Sequence, residues 1–536
     1  MIFLSMMIMI TTLVVSRTLL PLDENRTYLR KYYLPTIFSQ KIAIFTSVCV
    51  SVLISLFGSM PDPSTLPKVM NVFIGAAWLY STIPTKPLIT REKEIFKINK
   101  YSHVLLIMLY LVSLVYPAFF IALYSVCVIW YFSRFNNVSA TEIYLTHNVS
   151  CLLIAYYALS LFFNIPDDLF VILLSIVTGI HYFKSGIGKH QIQWERSNYL
   201  PNIVAAAKIQ NNWCFFADSV FFKYFKKITV PIQTTVVYME ILAVASIIDY
   251  RLAIVVFSFL LLMHIIIFIS TGIFFWKWIA VLIPLIYCLY QVELTGDILV
   301  ASPELLVSII VIGAFSSLLS YLPELVWFDS PISSKITILL KNEDGSKEYS
   351  LNPYDVRPLD MNYSQARVGI CFPIDRFDIV GCFGAIKPQS KSVDLFMTKW
   401  PMMLNSINKE DIQTEEEVVQ LLSQVLNANQ DVDQYHTKNK NLSLQQEFQK
   451  NIGHFLTNLM RNYGNSKTNF YFPNFHIWNN KKRDDKKVLR SLLASESLTI
   501  VLKREMFFYW DKENKYIKFH ENNLEAPNIE LERFKG

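Results

Sequence analysis

Long apolar runs fill this chain up to about residue 323 and then stop. They lie at 2–20, 41–58, 69–84, 102–116, 117–132, 142–163, 168–188, 231–248, 252–271, 274–292 and 303–322, with short polar segments between them. Runs of this length exceed an ordinary strand, so each predicts a helix. Read as membrane spans, they predict a polytopic α-helical membrane protein of about nine to eleven helices, although several fall short of the ~20 residues a perpendicular span needs. Pro117 either divides the 101–132 stretch into two passes or kinks one helix. Residues 1–16 read as an uncleaved first helix, because no basic region precedes them and Arg17 ends the run without a small-residue cleavage site.

From 324 to 536 the pattern changes to that of a globular α+β domain, predicted to lie outside the membrane. Lys335–Leu340 and Lys347–Leu351 predict short strands around Asn342-Glu343-Asp344-Gly345, a hairpin signal. Residues 409–428 and 443–463 predict amphipathic helices, the first entered by an acidic turn at Thr414–Glu417. Leu498–Trp510 and Tyr516–His520 predict paired strands around Asp511–Asn514. The domain carries no phosphate-binding loop, dinucleotide fingerprint, zinc-protease helix or serine-nucleophile elbow. It reads as a packing or recognition module.

The stretch at 190–230 fits neither part. Trp213, Phe216, Val220, Tyr224 and Ile228 recur at helical spacing beside Lys223, Lys226 and Lys227, which predicts an amphipathic helix lying on the membrane surface or packing on the C-terminal domain. The basic segments 17–40, 85–100 and 189–230 fall on one side of the expected layout, and the positive-inside rule makes that side, with the C-terminal domain, cytoplasmic.

Composition agrees with the pattern. Of the 536 residues, 53% are hydrophobic and only 17% charged, against about 25% in soluble domains. Basic and acidic residues balance in 324–536, so the net charge of +6 belongs to the apolar part. That distribution excludes a nucleic-acid partner and points to membrane lipid. Cys371 and Cys382 are the only cysteine pair in the second part; they close a disulfide in an oxidising compartment and stay thiols otherwise.

Ionisable groups inside apolar runs are costly and mark candidate sites. Glu240 sits mid-run in 231–248 and His264 mid-run in 252–271, while His147 lies near the start of 142–163. His181 lies one helical face from Lys184 and Ser185, and Lys189 closes its run beside His190 and Trp194. A lysine kept from water at such a boundary becomes a base instead of an inert cation. Taken singly, each histidine is better explained by an interhelical hydrogen bond than by catalysis. Packed together, helices carrying His147, Lys189, Glu240 and His264 line a polar site suited to an amphiphilic substrate that enters from lipid. No metal is expected, since no two histidines have the i, i+3 or i, i+4 spacing of a helical ligand pair.

The stretch Tyr182-Phe183-Lys184-Ser185-Gly186-Ile187-Gly188-Lys189, followed by Trp194, resembles the Tyr-Phe-x-x-Gly-x-x-Lys segment of vitamin K-dependent gamma-glutamyl carboxylases and their bacterial relatives, the horizontally transferred transmembrane domain (HTTM) proteins. His147 at the head of an apolar run, Trp213, and His264 followed by Thr271-Gly272-Ile273-Phe274 agree in order, and the likeness covers about 100–325. The resemblance implies an integral protein of the bacterial cytoplasmic membrane with an α+β extramembrane domain. It also implies a reduced vitamin K-type quinone as cofactor. Lys189 would deprotonate it with His147 in the same site, His181, Trp194, Glu240 and His264 would line the pocket, and a peptide or protein would be the acceptor. Thr146 stands where the carboxylase motif has asparagine, and the carboxylase stretch that grips glutamate has no counterpart after the last run. The alternative is a non-enzymatic member of the fold that binds, or helps mature or export, a peptide or lipid.

Overall fold

The computed structural model describes residues 65–82, 100–134, 141–160, 167–191, 194–196, 200, 220–245, 249–271, 275–292, 332–350, 412–428, 486–510, 513 and 515–531. The runs expected at 2–20, 41–58 and 303–322, the helix expected at 443–463, and Cys371 and Cys382 lie outside the described residues.

Among the described residues, eight helices lie in the first part: α1 (Thr65–Ser81), α2 (Lys100–Val115), α3 (Phe119–Arg134), α4 (Thr141–Ser160), α5 (Asp167–Gln191), α6 (Val220–Leu242), α7 (Tyr250–Thr271) and α8 (Trp276–Val292). Helix α5 packs along α6 and against α4 and α8, while α8 also packs on α7, α1 and α4. Aromatic rings fill the core on the α1 side, where Phe120 stacks on Tyr124 and Tyr157 at centroid distances of 5.6 and 6.1 Å. Several polar groups buried there are paired, which offsets their removal from water. Asn71 donates to the Tyr157 hydroxyl and accepts from the Tyr124 hydroxyl at 2.8 Å. Trp78 Nε1 donates to Ser150 Oγ at 2.6 Å.

The polytopic bundle of about nine to eleven spans is not what these residues build. Among the described residues, two helices, Leu169–Ile187 and Tyr250–Ser270, are long and apolar enough to cross a membrane. The apolar segments Tyr101–Val115 and Trp276–Gln291 are shorter, and α1 has 17 residues and α3 has 16. The reason is physical: an apolar run reports removal from water, and a helix packed into a protein core satisfies that as well as one in lipid. Leu169–Ile187 illustrates it, with 76% of its apolar window buried against its neighbours. A second correction concerns the insertion. Residues from Val220 onward are no separate surface helix; they run on into α6 through Pro231. The proline removes one backbone donor but leaves its own carbonyl usable, and Thr235 Oγ1 donates to it at 2.8 Å.

The second part is one antiparallel sheet of order β2-β1-β3-β4, made of β1 (Ile332–Lys341), β2 (Glu348–Ser350), β3 (Ser497–Trp510) and β4 (Lys515–Glu530). The expected hairpin is present. Asn342 Oδ1 accepts from Lys347 N at 2.8 Å, and Gly345 takes φ 68°, which suits a residue without Cβ. Met506, Phe508 and Trp510 alternate into the core with Ile338, Leu340 and Ile517. Helices α9 (Glu415–Ala428) and α10 (Lys486–Leu493) pack on β4 and on β1 and β2 respectively. A reciprocal cap opens α9: Thr414 Oγ1 accepts from Glu417 N, and Glu417 Oε2 accepts from Gln413 N and Thr414 N. Two register shifts interrupt the β3–β4 ladder, between Leu498 and Ile500 and between Met506 and Phe507.

Charges on the sheet predict an acid-sensitive step. Lys518, then Lys503, holds the Glu521 carboxyl down from its ordinary 4.5 to about 2, with contacts of 2.8 and 3.1 Å. A carboxyl depressed in the folded state adds stability above its unfolded value and loses it as pH falls toward the folded one. The denaturation midpoint should therefore fall between pH 4.5 and about 2, and Glu521→Gln should flatten that part of the profile. An unchanged slope in the variant would show that the pair is screened by solvent.

Candidate functional site

Helix α5 carries a polar stripe at Thr178, Tyr182, Ser185 and Lys189, spaced so that all four share one face. Beside it run two glycines, Gly179 and Gly186, two turns apart. They let α6 come unusually close. A Cβ on Gly186 would stand 2.9 Å from Ile241 N and 3.0 Å from Glu240 Cβ, and one on Gly179 would stand 2.5 Å from the Ala243 carbonyl oxygen. This approach sets Glu240 directly alongside the end of the stripe.

Lys189 Nζ and Glu240 Oε1 meet at 2.6 Å, with Lys189 7% and Glu240 2% exposed. Ser185 also hydrogen-bonds to Glu240. The indole of Trp194, in a one-turn 3₁₀ helix (Trp194–Arg196), lies over the ammonium with Nζ 5.5 Å from its centroid. Gln233 of α6 fixes that turn by donating to the Trp194 carbonyl and accepting from Leu200 N at 3.1 Å.

A second pair lies higher on the same stripe. The Tyr182 hydroxyl and His264 Nε2 of α7 are 2.7 Å apart. Phe275 and Trp278 flank the imidazole at centroid distances of 5.3 and 6.1 Å, and Trp278 Nε1 donates to His181 Nε2 at 3.2 Å. The two pairs sense each other electrostatically, His264 through Lys189 and Tyr182 through Glu240. Three buried polar atoms here have no hydrogen-bond partner: Glu240 Oε2, His264 Nδ1 and Thr178 Oγ1.

The structure thus brings together Lys189, Glu240, Trp194, His264 and His181. His147 lies on α4, which packs against α5, but its side chain lies outside the described residues. Tyr182, Gln233 and Glu195 escape a reading based on charge within apolar runs. Tyr182 could have been found from its place one turn before Ser185 on the polar stripe. Gln233 carries no such signal, since its partners Trp194 and Leu200 come from another segment, and Glu195 lies outside the apolar runs, five residues from its partner His190. Among the described residues no group of three or more His, Cys, Asp or Glu side chains could hold a metal ion.

Chemically, the Lys189–Glu240 pair is a buried acid–base unit joined by a 2.6 Å contact. In the ion-pair form the amine is occupied, and the atom open to a further proton is Glu240 Oε2. If the proton moves across the 2.6 Å contact, the amine becomes the base and the carboxyl the donor. Comparison with protein-family models, curated proteins and solved structures finds no match.

Proposed function

We propose that this protein is a membrane-associated enzyme of the vitamin K-dependent carboxylase type, in which the Lys189–Glu240 pair takes a proton from a lipid-soluble reduced quinone. The observation that carries the reading is the dry lysine: an amine 7% exposed, 2.6 Å from a buried carboxylate and covered by an indole. Removal from water strengthens the exchange of protons between such groups and excludes competing solvent.

The donor set fits a quinol. The groups a quinol would use are the rings of Phe275 and Trp278 and the two buried polar atoms without hydrogen-bond partners, Glu240 Oε2 and His264 Nδ1. Bound there, a reduced quinone supplies an acidic hydroxyl and two reducing electrons. Glu240 Oε2 takes the proton, Lys189 holds the resulting charge in place, and Tyr182 fixes the imidazole of His264 through Nε2 so that Nδ1 faces the remaining polar atoms of the site. Trp194 keeps bulk water from the amine.

Access from lipid is supported by apolar side chains turned outward on several helices: Leu105, Met108 and Val115 on α2, and Val255 and Leu262 on α7. Exposed apolar side chains on the outer faces of helices suit contact with lipid or a partner. The C-terminal domain would stand on the cytoplasmic side and offer the peptide or protein acceptor.

A specific observation favours a second reading. Lys189 already has a partner, and a satisfied ion pair also suits a non-enzymatic protein that binds, or helps mature or export, a peptide or lipid. Hydroquinone turnover separates the two. The purified protein in lipid should consume vitamin K hydroquinone and oxygen, and Lys189→Ala should lower the rate by about 100-fold or more while expression is retained. Equal turnover in Lys189→Ala, or none in the natural protein, removes the enzyme reading.

A further inference from the structure

The buried pair has to exchange protons with water whenever its protonation changes, yet Trp194 covers the ammonium and α6 closes the side carrying Glu240. One nearby group joins solvent to a buried carboxylate on the turn that carries Trp194. His190, the next residue after Lys189, has a half-exposed side chain, and its Nδ1 lies 2.9 Å from Oε1 of the buried Glu195. The other oxygen of Glu195, Oε2, is buried without a hydrogen-bond partner. Among the described residues, the titratable or charged groups around His190 are Glu195 of the 3₁₀ turn, Tyr238 of α6 at a ring distance of 6.4 Å, and the Lys189–Glu240 pair. Gln233 holds the turn to α6, so Glu195 is kept in place.

We infer that His190 and Glu195 form the proton port of the Lys189–Glu240 site. The inference rests on the reading that this pair gains and loses protons. On the outward path the Lys189 ammonium gives one proton, by way of a water molecule, to Glu195 Oε2, which leaves an amine and a carboxylic acid. The acid turns that proton from Oε2 to Oε1 by rotation of the carboxyl and passes it to Nδ1 of a neutral His190 that carries its own proton on Nε2. The imidazolium releases the Nε2 proton to bulk water, and transfer of the remaining ring proton from Nδ1 to Nε2 through solvent resets the relay. One proton crosses, no electrons move, and the inward path is the reverse. Imidazole suits the step because it accepts on one ring nitrogen and donates from the other.

The test needs no turnover. In the full-length protein, the infrared carboxyl band of Glu240, assigned by its loss in Glu240→Gln, is followed after a rapid pH jump. His190→Gln should slow the response by about 100-fold, and millimolar imidazole in the buffer should restore it. Glu195→Gln should slow it as much, without rescue. An unchanged rate in His190→Gln overturns the port, and so does a slowed rate that imidazole leaves slow, because that marks a structural role. A Glu240 band that ignores pH in the natural protein also overturns it. Failure of hydroquinone consumption, with band kinetics that still depend on His190, removes the enzyme reading and leaves the port standing.

Discussion

Replacing Glu240 by alanine is expected to destabilise the folded protein by about 3–5 kcal/mol, the cost of leaving a buried charge without its partner. Lys189 cannot recover that loss by turning to water, because it lies under the Trp194 ring and between packed helices. The double variant Lys189→Met with Glu240→Leu should regain most of the stability, since apolar side chains of similar volume replace a buried ion pair at little or no cost. Chemical denaturation of the purified variants measures both. A loss below about 1 kcal/mol in Glu240→Ala would place the pair among solvent-screened surface contacts and contradict its burial. The double variant also offers a folded protein with no proton-exchanging pair, against which any activity can be judged.

The second large effect belongs to Gly179. Alanine there adds a carbon 2.5 Å from the Ala243 carbonyl oxygen and 3.2 Å from its carbonyl carbon. These are backbone atoms that no side-chain rotation moves aside, so α6 has to shift. The expected cost is about 1–3 kcal/mol, as for other overpacked interiors. At Gly186 the added carbon meets a side-chain atom of Ile241 and the Ile241 nitrogen at 2.9 Å each, so part of the clash can relax. Gly179→Ala should therefore lower the unfolding midpoint more than Gly186→Ala. Equal stability of Gly179→Ala and the natural protein would mean that the two helices do not meet as closely as described.

Hydrophobic patterning located the described helices of the first part to within a few residues, apart from α6, which begins eleven residues before the expected run, but it could not say what each one faces. The run at 69–84 became α1, a core helix with Met70, Ile74 and Trp78 buried, and nothing in its sequence separates that from a span. Glu240 and His264 stood out because a polar residue in an apolar run is rare. Their partners were less visible. Lys189 and Glu240 are 51 residues apart, and their contact depends on the glycine-lined approach of two helices. The break between the basic stretch ending at Lys227 and the apolar run after Pro231 suggested two elements, yet the backbone passes through the proline as one helix. In the sheet, β4 extends well past His520 through Glu521-Asn522-Asn523, residues of poor strand propensity. There the long partner β3 decides the conformation, which is how tertiary context overrides local preference.

That same outer strand limits how the C-terminal domain can meet another chain. Among the described residues β4 pairs on one side only, and an open strand of 16 residues would ordinarily invite a neighbour to add itself to the ladder. Pro527 lacks a donor, Asn528 turns at φ 52°, and one of the two register shifts falls beside them, which interrupts this end of the rim. Among the described residues, addition of a further strand is hindered at this end of the rim by the missing donor and the turned backbone.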